Sequence, residues 1–444
     1  MENKKKINIK IGGSLDHNLR CSANLEYIEG SCLSMEELKA LALTYNNALT
    51  NNEVKNEIKG DPIKLVNNKE FLLQELDNRF KKCNGQHLCW LKQDFIKATK
   101  DFNPDDFFRP VGTDGKTEWL SDLNIDEVMD QMEYKFTNFI FLGATPIDFK
   151  DINFNGINDI DFSKIMKEGN AKKNKAMIDY NLKKFYYKNI LLIHEFNKFI
   201  KNPNRYVLQE FINYINKISE DNLKKDIDDF VKQFKSPKYQ KEFINVINSE
   251  YTNLADDLYK NILDIKNKVY PVRYIGIIPN LDEHWKGGSH WVALFADLQK
   301  GSIYFFDSYG VRPDKRIREF VKLIAEWKYK SDTGKELEFD ANDYMKGSKD
   351  LKKNKIEEKY DIRYNEIRNQ FKGSECGVYS LNFIIRLLHN PDFDNIIKQQ
   401  VPDDTINKCR EIYFENQNIN SEKFTIEDDG KRLKIKRTKN YVCE

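Results

Sequence analysis

The sequence predicts an α+β protein, and three observations carry that prediction. In "FKGSECGVYSLNFIIRLLH", residues 371–389, the apolar residues Val378, Leu381, Ile385 and Leu388 follow at gaps of three, four and three. That is the stripe of an amphipathic helix. The runs "RYIGIIPN", "HWVALFADL" and "SIYFFDSYG" are β-rich, and the last two are joined by the Gly-bearing turn "QKGS", which predicts a hairpin. The segments before residue 110 and between 162 and 268 carry their apolar residues at helical spacing.

In chain order, residues 1–20 are polar, are interrupted by Gly12-Gly13-Ser14, and read as a flexible arm. Residues 21–110 form a helical N-terminal region. Ser34 followed by Glu37 and a Leu/Ala pattern makes a capping-box helix to Asn46. A second helix is expected over 69–80 and a third after Leu88, before the Pro/Gly-bearing link "FNPDDFFRPVGTDGK". Residues 111–161 open the core, with a helix whose face is Ile125, Val128 and Met129 and a short strand in "FIFLGATPIDF". Residues 162–268 read as an all-helical insertion. Residues 269–415 complete the core around a Lys-rich insert at 331–362, and residues 416–444 form a basic tail. No fixed-period repeat is found.

Lys and Arg number 72 against 70 Asp and Glu, so the formal charge of +2 gives no global basis for nucleic-acid or membrane binding. The Lys-rich insert leaves local nucleic-acid contact open, although charge runs are usually solvated. No apolar run of membrane-spanning length and no signal-peptide pattern is seen, so a soluble, non-secreted protein without membrane insertion is expected. The seven cysteines, at 21, 32, 83, 89, 376, 409 and 443, are odd in number and scattered. They do not suggest a disulfide framework, and a reducing cytosol is expected.

Cys376 opens the helix described first. The unpaired N–H groups and positive dipole end of a helix start favour a thiolate over a thiol. A thiol nucleophile also needs a base and a group to orient that base. Among six histidines, His290 opens the strand "HWVALFADL", and Asp307, 17 residues later, ends its hairpin partner. A tight hairpin brings those two positions to the same end. His284 lies in a Gly/Lys loop, His17 in the arm, and His87, His194 and His389 in helix or loop, where His389 suits the C-terminal end of the Cys376 helix. Gly288, just before Ser289, allows close approach of a substrate backbone. Gln370, six residues ahead of Cys376, offers a side-chain donor that completes an oxyanion hole with the Cys376 N–H.

The blocks "GSHWVALFADL", "YFFDSYG" and "NQFKGSECGVYSLNFI" resemble the His-Trp, Asp and Gln…Cys-Gly blocks of the Ulp1-like and adenain-like cysteine proteases. The N-terminal half adds Ser31-Cys32-Leu33-Ser34, Asn124-Ile125-Asp126-Glu127 and Pro146-Ile147-Asp148-Phe149, and Ser374-Glu375-Cys376-Gly377 surrounds the thiol. These are similar to motifs of the core polyprotein proteases of large nucleocytoplasmic DNA viruses, of the African swine fever virus type. The resemblance implies a papain-like core of the Ulp1/adenain type with Cys376 as nucleophile, His290 as base, Asp307 as orienting acid and Gln370 as oxyanion donor. It further implies that Trp291 and Trp119 enclose a Gly-Gly segment of a protein substrate, between indoles that leave no room for a Cβ. A viral core polyprotein cut at Gly-Gly-X, in the host cytoplasm and the virion core, is the substrate so implied. No cofactor or metal is required.

Read with that preference, Ile11-Gly12-Gly13-Ser14 has the form of a self-cleavage site between Gly13 and Ser14. Two other readings stand beside viral maturation. One is a host-directed deubiquitinase or SUMO protease with a ubiquitin-like partner. The other is a metal-binding interaction module built on Cys83-x₃-His87-x-Cys89 with Cys21 or Cys32.

Overall fold

The computed structural model describes residues 21–25, 30–50, 58, 60–113, 115, 117–191, 237–238, 241, 254–337, 345–347, 360–415, 426–428, 433–435 and 443. Gly13, Ser14, His194 and much of the expected insertion, Lys-rich stretch and tail lie outside the described residues. The chain divides into two compact units. One is formed by residues 1–32, 104–173 and 270–444, the other by residues 33–103 and 174–269.

The first unit is built on a six-stranded mixed sheet, with strands β1 (Phe139–Thr145), β2 (Tyr274–Pro279), β3 (Ala293–Asp297), β4 (Ser302–Phe306), β5 (Lys346–Gly347) and β6 (Ile362–Tyr364). Their spatial order is β1-β2-β3-β4-β6-β5. The β1–β2, β4–β6 and β5–β6 pairs are parallel, whereas β2–β3 and β3–β4 are antiparallel. Its helices are α1 (Asp122–Lys135), α2 (Phe162–Glu168), α3 (Lys315–Thr333), α4 (Cys376–His389), α5 (Phe393–Lys398), α6 (Asp403–Lys408) and α7 (Arg410–Tyr413).

Helices cover both faces of the sheet. Ala293, Phe295, Tyr304 and Phe306 belong to one core cluster, together with Ile125, Val128 and Met129 of α1 and Leu381, Ile384 and Ile385 of α4. Leu294, Ala296, Ile303 and Phe305 point the other way, packing with Phe162 and Ile165 of α2 and Phe320, Val321 and Ile324 of α3. Successive strand residues alternate between faces, and with both faces buried the strands read as continuous apolar runs. Gly276 lies where a Cβ would meet the Phe139 ring at 2.9 Å, so β1 packs closely over β2 only because that position carries no side chain.

The helices described in the second unit are Met35–Thr50, Lys69–Arg79, His87–Leu91, Asp94–Thr99, most of Ala171–Lys188, and Leu254–Lys266. The capping box forms as expected. The Glu37 N–H donates to Ser34 Oγ at 3.2 Å, and the Ser34 N–H to Glu37 Oε2 at 2.6 Å. Tyr45, Phe80 and Trp90 pack ring to ring at 5.9 and 6.0 Å.

One element went unread in the sequence and one expectation needs correction. Helix α3 was not anticipated, although Ile317, Phe320, Val321 and Ile324 keep helical spacing between an Asp314 cap, which accepts the Arg316 N–H, and Gly334 in the left-handed region. The absence of a disulfide framework is overturned. Cys21 pairs with Cys32, Cys83 with Cys89 and Cys409 with Cys443, which leaves Cys376 as the free cysteine. The odd count misled because one thiol is set apart and the other six pair. A reducing compartment therefore has no support from the cysteines. The metal-module reading loses its thiolates to the same bonds, and His87 packs against Trp90 with ring centroids 4.1 Å apart.

Thiol titration of the denatured, unreduced protein should therefore give one reactive thiol, and seven after reduction. Seven before reduction would disprove the pairing. Because Cys409–Cys443 spans 34 residues, the Cys443→Ser variant should lose roughly 4 kcal/mol of stability by the chain-entropy relation.

Candidate active site

The site stands at the end of the β3–β4 hairpin, against the start of α4. In the β3–β4 register Ala293 faces Phe306, so the residues before β3 and those after β4 leave the sheet side by side. His290 Nε2 lies 2.8 Å from Asp307 Oδ1, with both residues buried. Cys376 is close enough for its side chain to act on the imidazole and raise its pKa. With Nε2 committed to Asp307, Nδ1 is the nitrogen left for sulfur.

Cys376 is the first residue of α4 and is 2% exposed. Its approach depends on Gly377, where a Cβ would lie 3.1 Å from Leu120 Cβ. The loop before it is fixed by Glu375, whose carboxylate accepts from the Ser374 N–H at 2.9 Å and Asn407 Nδ2 at 2.9 Å. Buried Arg410 donates to the carbonyls of Ser374 and Glu118, at 3.1 and 2.6 Å. The thiol is thus placed by a satisfied polar network, as burial of such groups requires.

Gln370 is fully buried. Its Oε1 accepts from Ser308 Oγ at 2.6 Å and its Nε2 donates to the Lys372 carbonyl at 2.8 Å, which leaves one amide hydrogen for another acceptor. The Ser308 carbonyl also takes the Asn369 and Gln370 N–H groups, at 2.7 and 3.0 Å. The adjacent residues Asp307 and Ser308 therefore hold the imidazole and the amide together.

Sequence reasoning missed three members of this arrangement. Asn365, just beyond β6, accepts the Asp307 N–H at 2.8 Å and donates to the Asp307 carbonyl at 2.9 Å. Tyr309 stacks on His290, with centroids 4.6 Å apart and an interplanar angle of 19°, and its N–H donates to Asp307 Oδ1. Ser308 is the third. Ser308 and Tyr309 stood inside the quoted "YFFDSYG", whereas nothing local marked Asn365.

Burial is the largest influence on His290 and opposes its protonation, but the hydrogen bonds and negative charges of Asp307 and Cys376 overcome it. They raise the pKa from 6.5 to about 9. The site is therefore built for an imidazolium facing sulfur.

Trp291, Trp119 and Gly288 line one cleft of about 490 Å³. Trp291 Nε1 donates to the Leu120 carbonyl at 2.9 Å, which ties the two tryptophan segments together. Trp119 is 48% exposed and is therefore not a core residue. Gly288 has φ +86°, and a Cβ there would lie 3.0 Å from Asn280 Nδ2. His284, the rival base, is held instead by Asp148, with Nδ1 and Oδ2 2.7 Å apart. His389 places Nδ1 3.0 Å from the Ile385 carbonyl near the end of α4.

Because its folded pKa is raised, the His290 ion pair stabilises the fold fully below pH 6.5 and loses that effect as pH rises through about 9. Denaturant unfolding of wild type and His290→Gln should differ by about 3 kcal/mol more at pH 6 than at pH 10. A difference that does not change with pH would contradict the assignment.

Residues 205–420 match the model described as Ulp1 protease family, C-terminal catalytic domain. The protein R355 of Acanthamoeba polyphaga mimivirus, whose name proposes a thiol protease, is 25% identical over 397 residues, covering 87% of this chain and 90% of that protein. The cysteine protease S273R of African swine fever virus is 25% identical over 146 residues, 32% of this chain and 45% of the viral protein. The crystal structure of the African swine fever virus pS273R protease superposes with a TM-score of 0.43 at 16% identity, covering 89% of this chain and 95% of that one. His290, Asp307, Gln370 and Cys376 all fall inside the matched span, so the part of the chain that holds them is similar to the catalytic domain of the Ulp1 family of cysteine proteases.

Proposed function

We propose that this protease cuts protein substrates after Gly-Gly, and that its role is maturation of a viral core polyprotein in the virion core. The observation that carries the reading is the His290–Asp307 hydrogen bond, with Cys376 acting on the same imidazole, together with a cleft walled by two indoles, one of them next in the chain to His290. In this reading Cys376, as thiolate, attacks the carbonyl carbon of the second glycine. The oxyanion is held by the free Gln370 amide hydrogen and the Cys376 N–H. His290, protonated, gives its proton to the leaving amine, and the acyl-enzyme thioester remains. Neutral His290 then takes a proton from water, which attacks the thioester and releases the acid and the thiol. Asp307 holds the imidazole in the required tautomer and stabilises its charge.

Support for Gly-Gly comes from the cleft: Trp119 is exposed there, Trp291 is anchored by its indole N–H, and Gly288 keeps the facing wall low. Support for a viral role comes from the mimivirus and African swine fever virus relatives. Some African swine fever virus relatives are named SUMO-1 cysteine proteases, so folded ubiquitin-like fusions belong in the same test. Self-cleavage between Gly13 and Ser14 is part of the proposal. It should remove the first 13 residues on incubation and fail in Cys376→Ala, and an unchanged intact mass would refute it.

Gly-Gly-X peptides should be cut by the wild type and left intact by Cys376→Ala. Cutting of ubiquitin or SUMO fusions alone would replace maturation by deconjugation. Gln370→Ala should lower kcat roughly 10²–10³-fold with little change in KM. The rate should also fall as pH rises through about 9, where His290 loses the proton the leaving amine needs.

A further inference from the structure

The cleft extends well past the two indoles. Beyond Trp119, Trp291 and Gly288 it runs along the C-terminal ends of β1 and β2, over Thr145, Asn280 and Asp282. Two nearly fully buried polar side chains on this wall keep hydrogen-bonding capacity unused among the described residues. Thr145 is 1% exposed and its Oγ1 has no partner. Asn280 is 7% exposed. Its Oδ1 accepts the N–H groups of Asp282 and Ser289 at 3.1 and 3.0 Å, which fixes the amide with Nδ2 turned toward Gly288. The Nδ2 hydrogens find no acceptor among the described residues. A buried hydroxyl left without a partner, as at Thr145, is costly to a fold unless something binds it, and the Asn280 amide beside it is open to the cleft.

The charges lining this cleft are unevenly matched. Glu283 is neutralised by Lys286 at 2.8 Å and Arg316 at 3.1 Å, and His284 is bonded to Asp148. Asp122, which opens α1, and Asp282 have no ion-pair partner among the described residues, so the lining keeps an uncompensated negative charge.

We propose that this outer part of the cleft is a subsite for the residues preceding Gly-Gly, and that it selects a lysine or arginine at the second residue before the glycine pair. The inference rests on the Gly-Gly reading above and adds a second specificity determinant to it. In an extended peptide, alternate side chains share a face. The first glycine sits where the indoles exclude a Cβ, so the residue two before it faces the same wall and reaches the acidic outer end. The residue between them points away. Asn280 Nδ2 then meets a substrate carbonyl and Thr145 Oγ1 a substrate N–H, which holds the strand in register. The protein's own Lys10-Ile11-Gly12-Gly13 follows this pattern, with lysine at the selected position.

The test compares two peptides, Lys-Ile-Gly-Gly-Ser and Glu-Ile-Gly-Gly-Ser, each within the same flanking residues. Wild type should prefer the lysine peptide in kcat/KM by roughly five- to tenfold at low salt, less at high salt. Asp122→Asn combined with Asp282→Asn should bring the two peptides level by slowing the lysine peptide. Asn280→Ala should raise KM for both peptides alike and leave the preference in place. Equal cutting of both peptides by wild type, or a preference that survives the double substitution, overturns the subsite while leaving Gly-Gly cleavage standing. Failure to cut any Gly-Gly peptide overturns the Gly-Gly reading and this subsite together.

Discussion

The His290–Asp307 hydrogen bond is the contact on which the rest of the site depends, and it is a consequence of strand register. The pairing of β3 with β4 sets Ala293 against Phe306, and only that alignment brings the residues just outside each strand together. A slip of one residue would turn every side chain to the opposite face and break both core layers at once. The alternating residues 293–296 and 303–306, divided between two apolar clusters, make such a slip expensive. The energy that holds the catalytic geometry is therefore largely the energy of the core. The polar contacts around Asp307 refine an alignment already set by burial.

That dependence explains what could be read from the chain. The hairpin and the helix behind Cys376 were legible because apolar periodicity is local, and the positions of His290 and Asp307 follow from the hairpin. Asn365 was not legible. It reaches Asp307 only because β6 adds to the sheet beside β4, a parallel pairing between distant segments with three residues in the strand. Gln370 was picked out as a donor, but its support by Ser308 also requires this tertiary neighbour relation. The disulfides were hidden for a related reason. Cys409 and Cys443 are brought together near Tyr413, whose hydroxyl donates to the Cys443 carbonyl, and no spacing rule foretells that meeting.

Pairing of the other six cysteines has a chemical benefit for the site. Disulfide exchange starts with attack by a free thiolate, so a free thiol is best kept away from the bridges. Cys376 is the free cysteine and is buried at the start of α4, held on one side by the Gly377–Leu120 contact and on the other by His290. The cleft is built from the same parts. Leu120 packs near Gly377 and also accepts the Trp291 indole N–H, so the segment that packs beside the start of α4 also carries Trp119 to the cleft.

The central claim is that His290 is held protonated between Asp307 and the sulfur of Cys376. Histidine-selective NMR titration of the whole protein tests it most directly, since the chain has six histidines and His290→Gln assigns the signal. One imidazole should titrate at about 9, vanish in His290→Gln and fall markedly in Asp307→Asn, where burial is no longer offset by a carboxylate. A spectrum in which every imidazole titrates near 6.5 would contradict the account.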